Sequence, residues 1–348
     1  MSSAAIDVVG IGNAIVDVIA HADEAFIAAQ GFAKGSMNLI DAPRAQSLYD
    51  AMGPAIESSG GSAGNTMAGI ASLGGRGAYI GKVRDDELGA VFRHDLTAIG
   101  VKFETPAASS GPATARCLIM VTPDGQRTMG TYLGACVELG PDEIEEALIA
   151  SAQVTYLEGY LFDPPQAQAA FRRAAAVAHA AGRRVALSLS DPFCVGRHRP
   201  AFRELVRGEV DILFANEAEI CSLYETDDFA AAAKAVRGHV AIAALTRSER
   251  GSVVLADGEE HAVAAAPVAR VVDTTGAGDL YAAGFLYGLT RGLALPICGA
   301  VGSLCAAEII SHVGARPEVA AGMSKRTPIA VMSWRNTSPR RSSRTLPI

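Results

Sequence analysis

Apolar and polar positions along this chain follow two periods. From Tyr281, the residues Tyr281, Gly284, Phe285 and Gly288 fall at i, i+3, i+4 and i+7, which predicts a buried helix opening near Gly276. Elsewhere short apolar runs bounded by glycine or polar clusters predict strands. IDVVGIGNAIVDVIA reads as a strand, a glycine turn and a second strand, and GGSAGNTMAGIASLGG opens a helix behind a Gly-Ser-Asn cluster. CLIMVTPDGQRTMGTYL reads as a hairpin turning at Pro123-Asp124-Gly125. From Val154 strand and helix alternate: VTYLEGY, an Ala-rich helix ending near Gly182, RRVALSLS, a helix near Phe202 to Val206, VDILFA, a helix following Asn216, then AIAALT and SVVLAD. The rhythm predicts an α/β fold with a mainly parallel central sheet and helices on both faces. In such sheets ligands gather at the carboxyl ends of the strands.

Composition narrows the classes. The 348 residues are 49% hydrophobic and 19% charged, enough for a sizeable core. A net charge of -7 disfavours nucleic acid as a partner. No apolar run reaches the ~18–20 residues that cross a bilayer, and the N-terminus lacks a secretory pattern, so a cytoplasmic protein without a membrane partner is expected. Cys117, Cys136, Cys194, Cys221, Cys298 and Cys305 are scattered without a CxxC pair, and the seven histidines show no metal-binding spacing. All six charged residues after Glu318 are basic, which leaves -13 on the residues up to it. Residues 319–348 therefore read as a basic, poorly ordered tail outside a domain spanning 1–318.

The chemistry concentrates in DTTGAGD, Asp273 to Asp279. The first N–H groups of the helix it opens lack internal partners and carry the positive end of the dipole. Glycines let an anion approach them, and Asp279 falls in the first turn, where an ionised carboxylate can take a proton. Phosphoryl transfer to an alcohol fits that pairing, although a first-turn Asp also serves merely to offset a dipole. GxxxxGK[ST] is absent, and Gly10-Ile11-Gly12 is followed by Ile15 where a dinucleotide fingerprint needs glycine.

Three motifs in order, GGSAGNTMAGIASLGG, ANEAEI and DTTGAGD, resemble those of the PfkB (ribokinase-like) family of carbohydrate and nucleoside kinases. The resemblance implies a ribokinase-like fold with a small β lid from about residues 14–40 and 112–134. It makes Asp279 the catalytic base and the backbone of Gly276, Ala277 and Gly278 the anion hole for the transferred phosphoryl group. Asn13, Asp17, Gly61 and Asn65 become acceptor-binding residues; taken singly, Asp17 also reads as a surface strand residue and Asn65 as a helix cap. Asn216 and Glu219 (the NxxE element) would organise Mg²⁺ through water around ATP, with helix capping as their structural alternative. Arg127 aligns with a lid arginine near the phosphates. Thr246 and Gly251, in TRSERG, resemble a nucleotide-side turn in which Ser248 replaces the first glycine. Asp273 and Thr275 would flank a monovalent cation such as K⁺. GNAIVD and GGSAGN most resemble adenosine kinases and their bacterial relatives, which implies conversion of adenosine to AMP. Ribose, fructose, inosine or guanosine as acceptor, and a non-catalytic nucleoside- or sugar-binding module, are the alternatives. The state implied is a monomer or a homodimer through the lid.

Overall fold

The computed structural model describes residues 4–317; the basic segment 319–348 lies outside the described residues. In chain order the strands are β1 (Ile6–Ile11), β2 (Ile15–His21), β3 (Met37–Leu39), β4 (Ala55–Ser59), β5 (Gly77–Ile80), β6 (Lys102–Phe103), β7 (Ala115–Val121), β8 (Arg127–Tyr132), β9 (Ala152–Glu158), β10 (Arg184–Ser188), β11 (Ile212–Asn216), β12 (Ile242–Thr246), β13 (Ser252–Ala256) and β14 (Glu259–Val263).

Nine of these strands form one sheet in the order β14-β13-β12-β11-β10-β9-β1-β5-β6. Pairing is parallel from β6 to β12, and only β13 and β14 add antiparallel. The central strands are apolar at consecutive positions because both of their faces are covered. Val9, Leu157, Leu187 and Leu213 point into one core with the helices Pro165–Ala180 and Pro192–Gly208. Val8, Tyr156, Ala186 and Phe214 point into the other, with Met67 of the helix Ser62–Ser72 and Phe285 of the helix Ala277–Thr290. Burying each large side chain of this kind contributes about 1.5–3 kcal/mol relative to leaving it exposed. The ribokinase-like α/β arrangement expected from sequence is the one observed.

The second sheet runs β3-β8-β7-β2-β4. The segment IDVVGIGNAIVDVIA supplies a strand to each sheet: β1 enters the large one and β2 the small one, so the Gly12–Ala14 link carries the chain between them. β7 and β8 form the expected antiparallel hairpin. Strand β4, outside the two segments expected for this sheet, completes it by pairing with β2. Its Ala55, Ile56 and Glu57 are all exposed, so it carries no inside–outside alternation from which a strand could be read. Val16, Val18, Leu118 and Met120 pack one face of this sheet against Ile27 and Leu48. The opposite face carries Asp17.

Candidate active site

The parallel strands end along one edge, and polar side chains follow them in spatial order. Asn13 lies just after β1, Glu158 ends β9, Asp191 follows β10, Asn216 ends β11 and Thr246 ends β12, directly beside Asn216 in register. This is the carboxyl edge expected to hold ligands in such a sheet.

Two helices carry the groups expected on the acceptor and transfer sides. Gly61 caps the helix Ser62–Ser72 at φ 78°, and a Cβ there would collide with the backbone oxygen of Asn13. Gly276 caps the helix Ala277–Thr290 at φ 77°, where a Cβ would lie 2.9 Å from the Ala315 methyl. Both positions therefore require glycine, for backbone shape and for space. The helices touch at Gly69, where a Cβ would come within 2.6 Å of Ala283 and 2.7 Å of Leu280. That close approach carries Ser62 Oγ to 2.6 Å and Asn65 Nδ2 to 2.9 Å from the two carboxylate oxygens of Asp279.

Sequence alone misses the Ser62 contact, although Ser62 stands inside the Gly-Ser-Asn cluster. It also misses Glu158. This carboxylate is 1% exposed and accepts from Asn13 Nδ2 at 2.9 Å and from the Ala63 N–H at 2.8 Å. An ionisable residue closing an apolar parallel strand, VTYLE, is the available signal. Burial raises Glu158 to about 7 against the pull of those donors. Asp17 rises to about 6, chiefly by burial, while Arg316 and Arg127 oppose the rise. Burial also raises Asp279, with the Ser62 and Asn65 bonds opposing it, so this carboxylate is a stronger base than the ordinary Asp expected from sequence. Asn13, Asp17, Gly61, Asn65 and Asp279 thus come together in one place.

Around the glycine turn, Ala277 N–H donates to Thr274 O at 3.2 Å. The N–H groups of Gly276 and Gly278 have no partner among the described residues, and open space adjoins Gly278 where a Cβ would stand. Asp273 is fully engaged. Its Oδ1 accepts from Thr275 N at 3.0 Å and Thr275 Oγ1 at 2.8 Å, while Oδ2 accepts from Gly314 N at 2.9 Å and ion-pairs with Arg127. This ring of donors does not fit a monovalent cation at Asp273 and Thr275. Arg127, expected near the phosphates, bridges β8 to the DTTGAGD loop through this ion pair.

On the nucleotide side the capping alternative is the geometry observed. Asn216 and Glu219 form a reciprocal capping box, with Glu219 N donating to Asn216 Oδ1 at 2.9 Å and Asn216 N to Glu219 Oε2 at 2.9 Å. Glu219 is nonetheless raised to about 7 by burial and by nearby Asp191 and Asp279. Burial pushes the Tyr160 hydroxyl up, and Asp191, Asp279, Glu219 and Glu158 add to the rise. Such a gathering of carboxylates fits a phosphate-bound Mg²⁺ held largely through water. No cluster of three His, Cys, Asp or Glu poised to ligate a metal directly exists among the described residues. In TRSERG, Ser248 adopts φ 52° and Gly251 φ 80°, so the serine takes the left-handed backbone that a glycine would favour.

Residues 50–321 match the pfkB family carbohydrate kinase. The chain belongs to this family. It is 56% identical to the adenosine kinase from Sinorhizobium meliloti, whose crystal structure aligns with a TM-score of 0.85 over 90% of this chain and 97% of that one. The structure of a probable sugar kinase protein from Rhizobium etli CFN 42 is 52% identical, with a TM-score of 0.86 over 90% of this chain and 96% of that one. The ATP-dependent ribose-1-phosphate kinase of Halopiger xanaduensis is 32% identical over 238 residues, 66% of this chain and 73% of that protein. The protein is a PfkB-type kinase acting on a sugar or nucleoside, of a family that generally uses ATP with Mg²⁺. No helix among the described residues is long and apolar enough to cross a membrane.

Proposed function

We propose that this kinase transfers the γ-phosphoryl group of ATP to the hydroxymethyl group of a ribonucleoside, with adenosine as the preferred acceptor and AMP as product. The open face of the second sheet carries this reading. Cross-strand register aligns Ser58, Asp17, Cys117, Thr131 and Leu39 in one row. The next row is apolar from edge to edge: Ile56, Ile19, Ile119, Met129 and Met37. A pentose engaging Asp17 therefore directs its substituent over an apolar platform, which suits a purine better than water or a second polyol. A phosphorylated sugar fits less well. Arg127, the basic side chain on this face beside Asp17, is already paired with Asp273. The adenosine kinase relative at 56% identity supports the same acceptor.

In the reaction, Asp279 accepts the proton of the attacking hydroxyl, held in place by Ser62 and Asn65. Asn65 Oδ1 is buried without a partner among the described residues and accepts from a sugar hydroxyl. Asp17 and the backbone at Gly61 orient the ring. The N–H groups of Gly276 and Gly278 meet the negative charge spread over the transferred phosphoryl oxygens. Glu219 would hold, through water, a Mg²⁺ bound with ATP, which would neutralise phosphate charge. Closure of the second sheet over the acceptor excludes water, which would otherwise compete as acceptor. An ADP-release panel with adenosine, inosine, guanosine, ribose, fructose and ribose 1-phosphate tests the reading. The expected result is the highest kcat/KM for adenosine; strong turnover of a free sugar with none of adenosine would sink it.

A further inference from the structure

The chain after the helix Leu295–Ile309 turns back through the active site. Val272 N donates to Ile310 O at 2.8 Å, and Gly314 N reaches Asp273. Ala315 packs against Gly276. The next side chain, Arg316, then crosses to the acceptor side. Its Nε donates to Ser59 O at 2.8 Å, Nη1 to Gly64 O at 2.6 Å, and Nη2 to Ser59 Oγ at 3.0 Å, with Gly60 O at 3.5 Å. One guanidinium thus holds the last residue of β4, the backbone entering Gly61 and the first turn of the Ser62 helix.

We propose that Arg316 is the positioning residue that sets the acceptor-binding loop against the phosphoryl-transfer loop. The argument is geometric. Gly60 and Gly61 carry no side chains with which to anchor themselves, and a Cβ on Gly60 would stand 2.5 Å from the Asp17 carboxylate. The conformation of this loop must be imposed from outside. A planar fork with five fixed donors can hold several carbonyls at once; an ammonium cannot hold the same set. The positive charge also lies near both Asp17 and Asp279, two carboxylates that repel each other. Desolvation lowers Arg316 only to about 10, so it stays charged at neutral pH. The segment 314–316 therefore touches the transfer side through Asp273 and Gly276 and the acceptor side through Ser59, Gly60 and Gly64. Arg316 touches neither the reacting hydroxyl nor the phosphoryl group in this assignment; it acts through the groups that do.

The inference rests on Asp17 and the Gly60–Gly61 loop binding the acceptor, and its test uses whichever acceptor turns over best in the panel, so a wrong sugar leaves it standing. In the full chain, Arg316→Ala and Arg316→Lys are compared for acceptor KM, ATP KM and kcat, with and without added guanidinium. Arg316→Ala should raise acceptor KM by about 10-fold or more, the scale expected for losing charge-assisted hydrogen bonds. ATP KM should move less than about twofold, and guanidinium should recover part of the loss. Arg316→Lys should fall between the two. Equal changes in both KM values, wild-type acceptor KM in Arg316→Ala, or a soluble Arg316→Ala protein that guanidinium does not improve would overturn the proposal. If Arg316→Ala fails to fold, the acceptor-to-ATP KM ratio in Arg316→Lys decides the matter: a raised ratio supports it and an unchanged ratio refutes it.

Discussion

Two helix N-termini face each other in this site, and they are built alike up to one atom group. Each is capped by a glycine at positive φ, Gly61 and Gly276, and neither has a side-chain cap. The helices pack together through Gly69, so their positive dipole ends converge. The Ser62 helix has its demand for an anion met internally, because Glu158 accepts the Ala63 N–H. Among the described residues no such carboxylate accepts from Gly276 or Gly278 of the Ala277 helix. The difference supports the proposed division of work, with the first terminus electrostatically settled and suited to a neutral polyol and the second keeping donors suited to a phosphoryl group. A glycine turn before an apolar helix is therefore an incomplete signal. What occupies its donors must come from elsewhere in the fold.

The largest effect should come from the group between the two termini. Asp279→Asn retains the shape and an acceptor for Ser62 but removes the base. Turnover should fall at least ~10²-fold with the melting temperature little changed. A variant retaining near-normal kcat would defeat the assignment of Asp279 as the base.

A smaller and sharper contrast comes from adding one methyl to each cap. Gly61→Ala and Gly276→Ala each place an L side chain at a φ it rarely adopts, costing about 1–2 kcal/mol before any clash. Gly61→Ala meets the Asn13 carbonyl, and Gly276→Ala meets Ala315. The first should chiefly raise acceptor KM and the second chiefly lower kcat, each about 10-fold or more by the same energy scale. Steady-state kinetics on both variants checks this. Identical kinetic signatures would erase the division of labour between the two termini.

Much of this contrast was legible in the sequence, and the rest was not for specific reasons. The strand–helix alternation reflects burial on both sheet faces, which leaves a strong local pattern, so the parallel sheet and the Ala277 helix could be read directly. DTTGAGD, GGSAGN and ANEAEI are local in sequence because helix N-termini are local structures. Strand β4 was not legible, because an exposed edge strand has no buried face to impose alternation. Glu158, Ser62 and Arg316 act through partners 95, 217 and 257 positions away in the chain, and spacing alone carries no record of such contacts. The Arg127–Asp273 pair escaped for the same reason. Both residues were singled out, but for separate partners.

The smallest expected effect tests the filled terminus itself. Glu158 titrates at about 7 in the fold against an ordinary 4.5. For an acid whose folded value is raised, the native state binds the extra proton between those two values. Stability is then highest below about 4.5 and declines as pH rises through about 7, by up to about 1.4 kcal/mol per pH unit from this residue. Asp17, raised from 3.8 to about 6, adds a decline in the same direction at lower pH. Denaturant unfolding of the ligand-free protein from pH 5 to pH 8 should show this slope, and Glu158→Gln should remove one proton's share of it. At pH 5 the variant should be less stable by about 1–3 kcal/mol, since one amide hydrogen now faces either the Ala63 N–H or the Asn13 amide. Acceptor KM should rise in the same variant, because Asn13 and the Ser62 helix lose their shared anchor. An unchanged pH slope would mean that Glu158 stays ionised throughout. The Ser62 terminus would then carry a full internal negative charge at every working pH, and the asymmetry between the two helices would be larger still.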